Sequence, residues 1–170
     1  MSHWPLIDGY DFAASGARLQ GTWAISNFPR LRDKLASEAG AIAYTVEGVQ
    51  DALGRPALRI TLKGALQLTC QRCLDPLDYA VSVDAMLVLA HSEAEIESLP
   101  DDVHEPERIV AGKEMSVGEM LEDELLLAVP YAPRHARCAA QGSLGTESAG
   151  SPFADLRSLL GASGARRRRN

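Results

Sequence analysis

From Pro56 to Cys70 the chain alternates strictly: Leu58, Ile60, Leu62, Leu66, Leu68 and Cys70 share one parity, and Arg59, Thr61, Lys63, Gln67 and Thr69 share the other. A hydrophobic period of two predicts a strand with one face in a core and one in water. A second alternating run places Tyr79, Val81, Val83, Ala85, Leu87 and Leu89 on one face, against Ser82 and Asp84 on the other. Gln71 to Leu77 separates the two runs, so they are expected to form an antiparallel hairpin with Cys70 and Cys73 at its turn. Upstream, Ile42, Tyr44 and Val46 alternate with Thr45 and Glu47 before the Gly54 and Pro56 break, which extends the hairpin to a three-strand meander.

The period changes on either side of this meander. Leu19, Gly21, Trp23 and Ile25 predict another short strand. Asn27 then reads as a helix cap and Pro29 as a first-turn residue, for a helix through about Ser37. Glu93 to Pro106 is acidic with two prolines and is expected to be a mobile loop with a short helical turn at its start. Ser116 and Glu119 have capping-box spacing. Val117, Met120, Leu121, Leu125 and Ala128 follow at helical intervals, with Glu119, Glu122 and Asp123 on the opposite side, up to the stop at Pro130. The pattern therefore predicts an α+β domain over 1–138, an antiparallel sheet with two to three short helices. Alternation leaves open whether the sheet curls into a barrel. A Gly/Ser-rich linker is expected at 139–151, and a short helix with a basic tail over 152–170, where Phe153, Leu156, Leu159 and Leu160 line one side.

Composition narrows the function classes. At 170 residues and 46% hydrophobic content the chain supports one ordinary core. It shows neither a basic-then-apolar leader nor an apolar run near the roughly 20 residues of a membrane helix. Three cysteines fit reduced thiols better than a disulfide framework, so a cytoplasmic setting is expected. Net charge is −6, and excluding Arg166, Arg167, Arg168 and Arg169 leaves 13 basic against 23 acidic residues. Bulk charge alone does not describe a nucleic-acid binder.

The three cysteines all fall in two short motifs, Cys70-Gln71-Arg72-Cys73 and His135-Ala136-Arg137-Cys138. Two ligands separated by two residues can share one ion across a tight turn, and four N or S ligands make the tetrahedral set of structural zinc. Cys70, Cys73, His135 and Cys138 are thus candidate zinc ligands, joining the hairpin turn to the segment after the helix. The competing reading takes them as ordinary core or surface residues, because 61 residues separate the halves and Cys70 lies on an apolar face. Redox chemistry at Cys70 and Cys73 would need the pair to open a helix, and here it opens a hairpin turn. A Cys/His nucleophile would need an orienting third group that the sequence does not identify.

These residues resemble the YceD family, the bacterial and plastid group described as large ribosomal RNA subunit accumulation proteins. The likeness is carried by Leu68-Thr69-Cys70-Gln71-Arg72-Cys73-Leu74-Asp75-Pro76, by Glu122 to Pro130, by Pro133, His135 and Cys138, and by Pro152-Phe153-Ala154 with Leu156 and Leu159. It extends more weakly to Ser15-Gly16-Ala17, Gly21 and Pro29-Arg30-Leu31. The resemblance implies a non-enzymatic accessory role in the synthesis, processing or accumulation of large-subunit ribosomal RNA, with that RNA or ribosomal and assembly proteins as partners. If RNA is contacted directly, Arg72 and Arg137 inside the motifs and Arg166 to Arg169 in the tail are the candidate phosphate ligands. Salt bridges from Arg72 and Arg137 to Asp75, Glu122 or Asp123 are the plainer expectation for those two. The acidic body suggests an alternative, a protein-binding module that meets basic ribosomal or assembly proteins without touching RNA.

Overall fold

The structure is a computed structural model. It describes residues 4–98 and 106–138, which belong to one compact unit, Met1–Cys138. The anticipated linker, the C-terminal helix, Arg166 to Arg169 and part of the acidic loop lie outside the described residues. In chain order the elements are β1 (Leu6–Ile7), α1 (Gly9–Ser15), β2 (Arg18–Ala24), β3 (Leu35–Ser37), β4 (Ala41–Gln50), β5 (Pro56–Thr69) and β6 (Pro76–Ala90). They continue with α2 (Glu93–Glu97), β7 (Glu107–Val110), β8 (Met115–Ser116) and α3 (Val117–Ala128).

The main sheet has the strand order β2-β4-β5-β6-β7, with β3 pairing a further stretch of β5. The meander appears as expected: β4, β5 and β6 are consecutive antiparallel neighbours, and the β5–β6 register runs from Ala57↔Val88 to Thr69↔Pro76. Two features depart from the expected antiparallel sheet. β7 joins β6 in parallel, which makes the sheet mixed. The ends of the path, β2 and β7, are not paired with each other, so among the described residues the sheet is open and not a barrel. A two-strand ribbon, β1 with β8, stands apart from it.

One face of the sheet carries the core. Ile42, Tyr44 and Val46 of β4, Ile60, Leu62, Leu66 and Leu68 of β5, and Val81 and Leu87 of β6 meet Val117, Leu121 and Leu125 of α3. This is the period-two and period-3.6 pattern realised, and burial on this scale is the main stabilising term. Ser116 caps α3 by accepting from the Glu119 N–H at 3.4 Å, and Pro130 lies just beyond its end, as the spacing predicts. The helix expected after Asn27 is instead two 3-10 turns, Ile25–Asn27 and Pro29–Lys34. Phe28 precedes Pro29 without a side-chain cap, and Leu35–Ser37, expected as helix, is strand β3. Ile25, Phe28 and Leu31 all enter the core, so packing decides the geometry of this short segment over its local propensity.

The hydrophobic pattern does not predict α1. The Asp8 carboxylate accepts from the Asp11 N–H at 3.1 Å to start it, and Gly16 at φ 59° closes it in the left-handed region. It rests on β4 at Gly48, where a Cβ would stand 2.8 Å from the Ala13 Cα. Glycine is required there because two backbones touch.

Candidate metal centre

The β5–β6 turn is built by backbone bonds. The Cys70 N–H donates to the Asp75 carbonyl at 3.0 Å, and the Leu74 N–H donates to the Cys70 carbonyl at 2.9 Å. Leu74 sits at φ 64°, in the left-handed region, and is exposed. That tight reversal leaves both thiols pointing inward, since Cys70 and Cys73 are buried while Gln71 and Arg72 face water.

The second half of the site arrives from α3. The Val129 N–H bonds to the Leu125 carbonyl, and the Tyr79 hydroxyl donates to the Ala128 carbonyl at 2.7 Å, so a strand side chain satisfies a helix-end acceptor and fixes the exit. Beyond Pro130 the chain crosses to the hairpin. There the Gln71 N–H donates to the Pro133 carbonyl at 2.8 Å.

These two anchors bring together all four residues singled out from the sequence. The ligand atoms of Cys70, Cys73, His135 and Cys138 lie within 4.8 Å of one another. Cys70 Sγ is 3.6 Å from Cys138 Sγ, Cys73 Sγ is 3.3 Å from His135 Nδ1, and Cys138 Sγ is 3.9 Å from the same nitrogen. A tetrahedral zinc site has edges of about 3.8 Å between sulfurs and about 3.6 Å between sulfur and nitrogen, from its bond lengths. The separations fit such an ion and are far longer than the roughly 2 Å of a disulfide. None of the three cysteines is in a disulfide.

The outer contacts fit a metal as well. His135 Nε2 is 3.0 Å from the Pro76 carbonyl, which can only accept, so Nε2 carries the hydrogen and Nδ1 presents its lone pair to the cysteines. Burial pushes the Cys70 thiol up, but the N–H groups of Cys73, Arg72 and His135 and the Cys73 thiol outweigh it and bring Cys70 down to about 5. At Cys73 the Asp75 N–H favours the thiolate, yet burial and the Cys70 and Cys138 sulfurs prevail and push it up to about 11. His135 is raised, chiefly by the Cys70 sulfur and then by the Pro76 carbonyl. Opposite shifts at Cys70 and Cys73 are what crowding of like sulfur ligands produces, and a divalent cation would relieve that crowding. Cys70 and Cys73 sit in the β5–β6 turn, and among the described residues no helix begins at either, so the pair lacks the helix N-terminus of a thioredoxin-like arrangement.

Arg72 and Arg137 are exposed, and among the described residues neither makes an ion pair. The salt bridges expected for them go elsewhere. Arg30 takes Glu122 through its backbone N–H at 2.6 Å and its Nε at 2.9 Å, and takes Asp123 through Nη1 at 2.6 Å. Glu122, expected on the solvent side of α3, is therefore only 4% exposed, because Arg30 satisfies it. Sequence reading also passes over Arg134, an exposed neighbour of His135 whose adjacency to the second motif is the available signal.

An open mixed sheet backed by one amphipathic helix, with three cysteines and a histidine gathered where the two meet, defines an α+β protein with a group able to hold a metal. Residues 58–160 match the sequence model of the large ribosomal RNA subunit accumulation protein YceD, and the chain belongs to that family. The matched span contains all four cluster residues. No solved structure matches the chain significantly.

Proposed function

We propose that this protein is a non-enzymatic accessory factor for the synthesis, processing or accumulation of large-subunit ribosomal RNA, acting in the cytoplasm, with a structural zinc ion at Cys70, Cys73, His135 and Cys138. Family membership supports the RNA-related role. The convergence of the four ligands on one point supports the zinc clasp, and that observation carries the reading. The ion would stiffen the hairpin turn against the segment after α3, and both turns carry exposed arginines: Arg72 on one, Arg134 and Arg137 on the other. Three guanidinium groups on a rigid pair of turns form a phosphate-contacting patch on a chain that is otherwise acidic.

The test is binding of the purified full chain to large-subunit RNA fragments over a salt series. Expected is salt-sensitive binding, whose slope falls when Arg72, Arg134 and Arg137 are changed together to Ser, by about 0.7 for each single-strand phosphate that an arginine no longer neutralises. Zinc content should stay at one per chain in that variant. Binding with no salt dependence, or an unchanged slope in the triple variant, would remove the phosphate patch. Retention of protein partners after nuclease treatment would then favour the protein-binding module.

A further inference from the structure

Between α3 and the β6–β7 edge runs a groove of about 290 Å³. Leu87 and Ile109 form its sheet wall, and Met120, Leu126 and Leu127 its helix wall. Leu127 is 71% exposed, an unusual state for a leucine on a helix whose other face is fully packed. Three acids line the same groove: Glu107, Asp123 and Glu124. Asp123 is paired with Arg30. Glu124 is only 7% exposed as a whole, but its carboxylate oxygens are not among the fully buried, unpartnered atoms, so they face the water of the groove, and among the described residues neither Glu124 nor Glu107 makes an ion pair.

A carboxylate that meets water only in a narrow groove with apolar walls is poorly hydrated, and a cation brought into that groove is favoured over water there. Its neighbour Glu122, two residues earlier on the same helix, shows the contrast: it is equally buried but fully satisfied by Arg30. Apolar walls, a protruding leucine and two acids facing the groove without an ion pair define a ligand with apolar side chains and a cation. We infer that this groove docks a basic, leucine-bearing segment of a protein partner, with a Lys or Arg placed against Glu124 and Glu107 and its apolar neighbours among Met120, Leu126 and Leu127. Charge complementarity selects the occupant: RNA phosphate is repelled by these acids, whereas a basic peptide is attracted and has its apolar side chains covered. The groove shares no residue with the arginine-bearing turns, so peptide docking and phosphate binding can each fail without the other.

The probes are a synthetic amphipathic Leu/Lys peptide, a Leu/Glu peptide of the same pattern and a Lys-only peptide, titrated against the full chain by fluorescence anisotropy. Expected is binding of the Leu/Lys peptide alone, weakened about tenfold or more by Glu124→Gln, which removes the buried charge. Leu127→Lys should weaken it similarly, and because Leu127 is exposed that variant keeps the fold. Glu97→Gln, an exposed acid on α2, should leave binding unchanged. Equal weakening by Glu97→Gln, equal binding of the Lys-only peptide, no binding of the Leu/Lys peptide, or full binding by Glu124→Gln and Leu127→Lys would each overturn the inference.

Discussion

Burial raises the Glu124 carboxyl above its ordinary value, and the Glu107 and Asp123 charges push the same way. A carboxyl that holds its proton more tightly when folded is destabilised in its charged form. The penalty is absent below the unfolded pKa, grows as pH rises past it, and is complete above the folded pKa. Glu124→Gln should therefore melt higher than the parent at about pH 8 and lose that advantage below about pH 4. Thermal unfolding monitored by circular dichroism at both pH values checks this, and a variant less stable at the higher pH would contradict the burial account. Glu122 carries the opposite expectation. Glu122→Ala leaves the Arg30 backbone N–H and guanidinium without their acceptor, and should cost about 2 kcal/mol in urea unfolding, discounted for the half-exposed arginine. At this scale the sequence shows the Cys/His group clearly, since cysteine is scarce and both motifs share one spacing. It hides the roles of Glu122 and Glu124, because an acid on the polar stripe of a helix cannot be told from a buried one until the packing partner is known.

Strands β4, β5 and β6 are legible because each is long and buried on one face, so alternation persists over many residues. The alternation in β6 fades at its end, where Leu87 through Ala90 are all buried. There β7 pairs alongside, a four-residue parallel strand too short for a period to register. α1 escapes notice for a similar reason, being two turns long and marked only by Asp8 and Gly16. Its seat on β4 gives a sharp element-level expectation. Gly48→Ala puts a methyl group against the Phe12 and Ala13 backbone, which neither element can move without disturbing the Ala13, Leu58 and Leu89 cluster. The substitution should destabilise by about 1–3 kcal/mol, as overpacking does. Hydrogen exchange should accelerate first in α1, and unchanged protection there together with unchanged stability would show the helix to be free of β4.

Across the whole molecule, an ion at the cluster would add a tie that the sheet and helix do not make for themselves. α3 is held by its apolar face, by the Arg30 pairs and by the Tyr79 hydroxyl, while among the described residues the chain after Pro130 meets the turn through the Gln71–Pro133 backbone bond, the His135–Pro76 contact and the cluster itself. An ion joining Cys70 to Cys138 closes a chain segment 68 residues long. A cross-link over that length removes about 4 kcal/mol of loop freedom from the unfolded chain in the chain-entropy model. Metal-loaded protein should thus unfold at higher urea than chelator-stripped protein, with a gain of up to about that size, and titration should show one zinc per chain. Cobalt in place of zinc should give the intense visible bands of a tetrahedral thiolate site. Cys73→Ala and Cys138→Ala should lose those bands while keeping the β-sheet signal, because neither residue belongs to the packed hydrophobic clusters of the core. Protein purified under reducing conditions that takes up neither metal, or cysteine variants with unaltered cobalt spectra, would leave the four residues as a packed polar contact and return the arginine-bearing turns to independent motion.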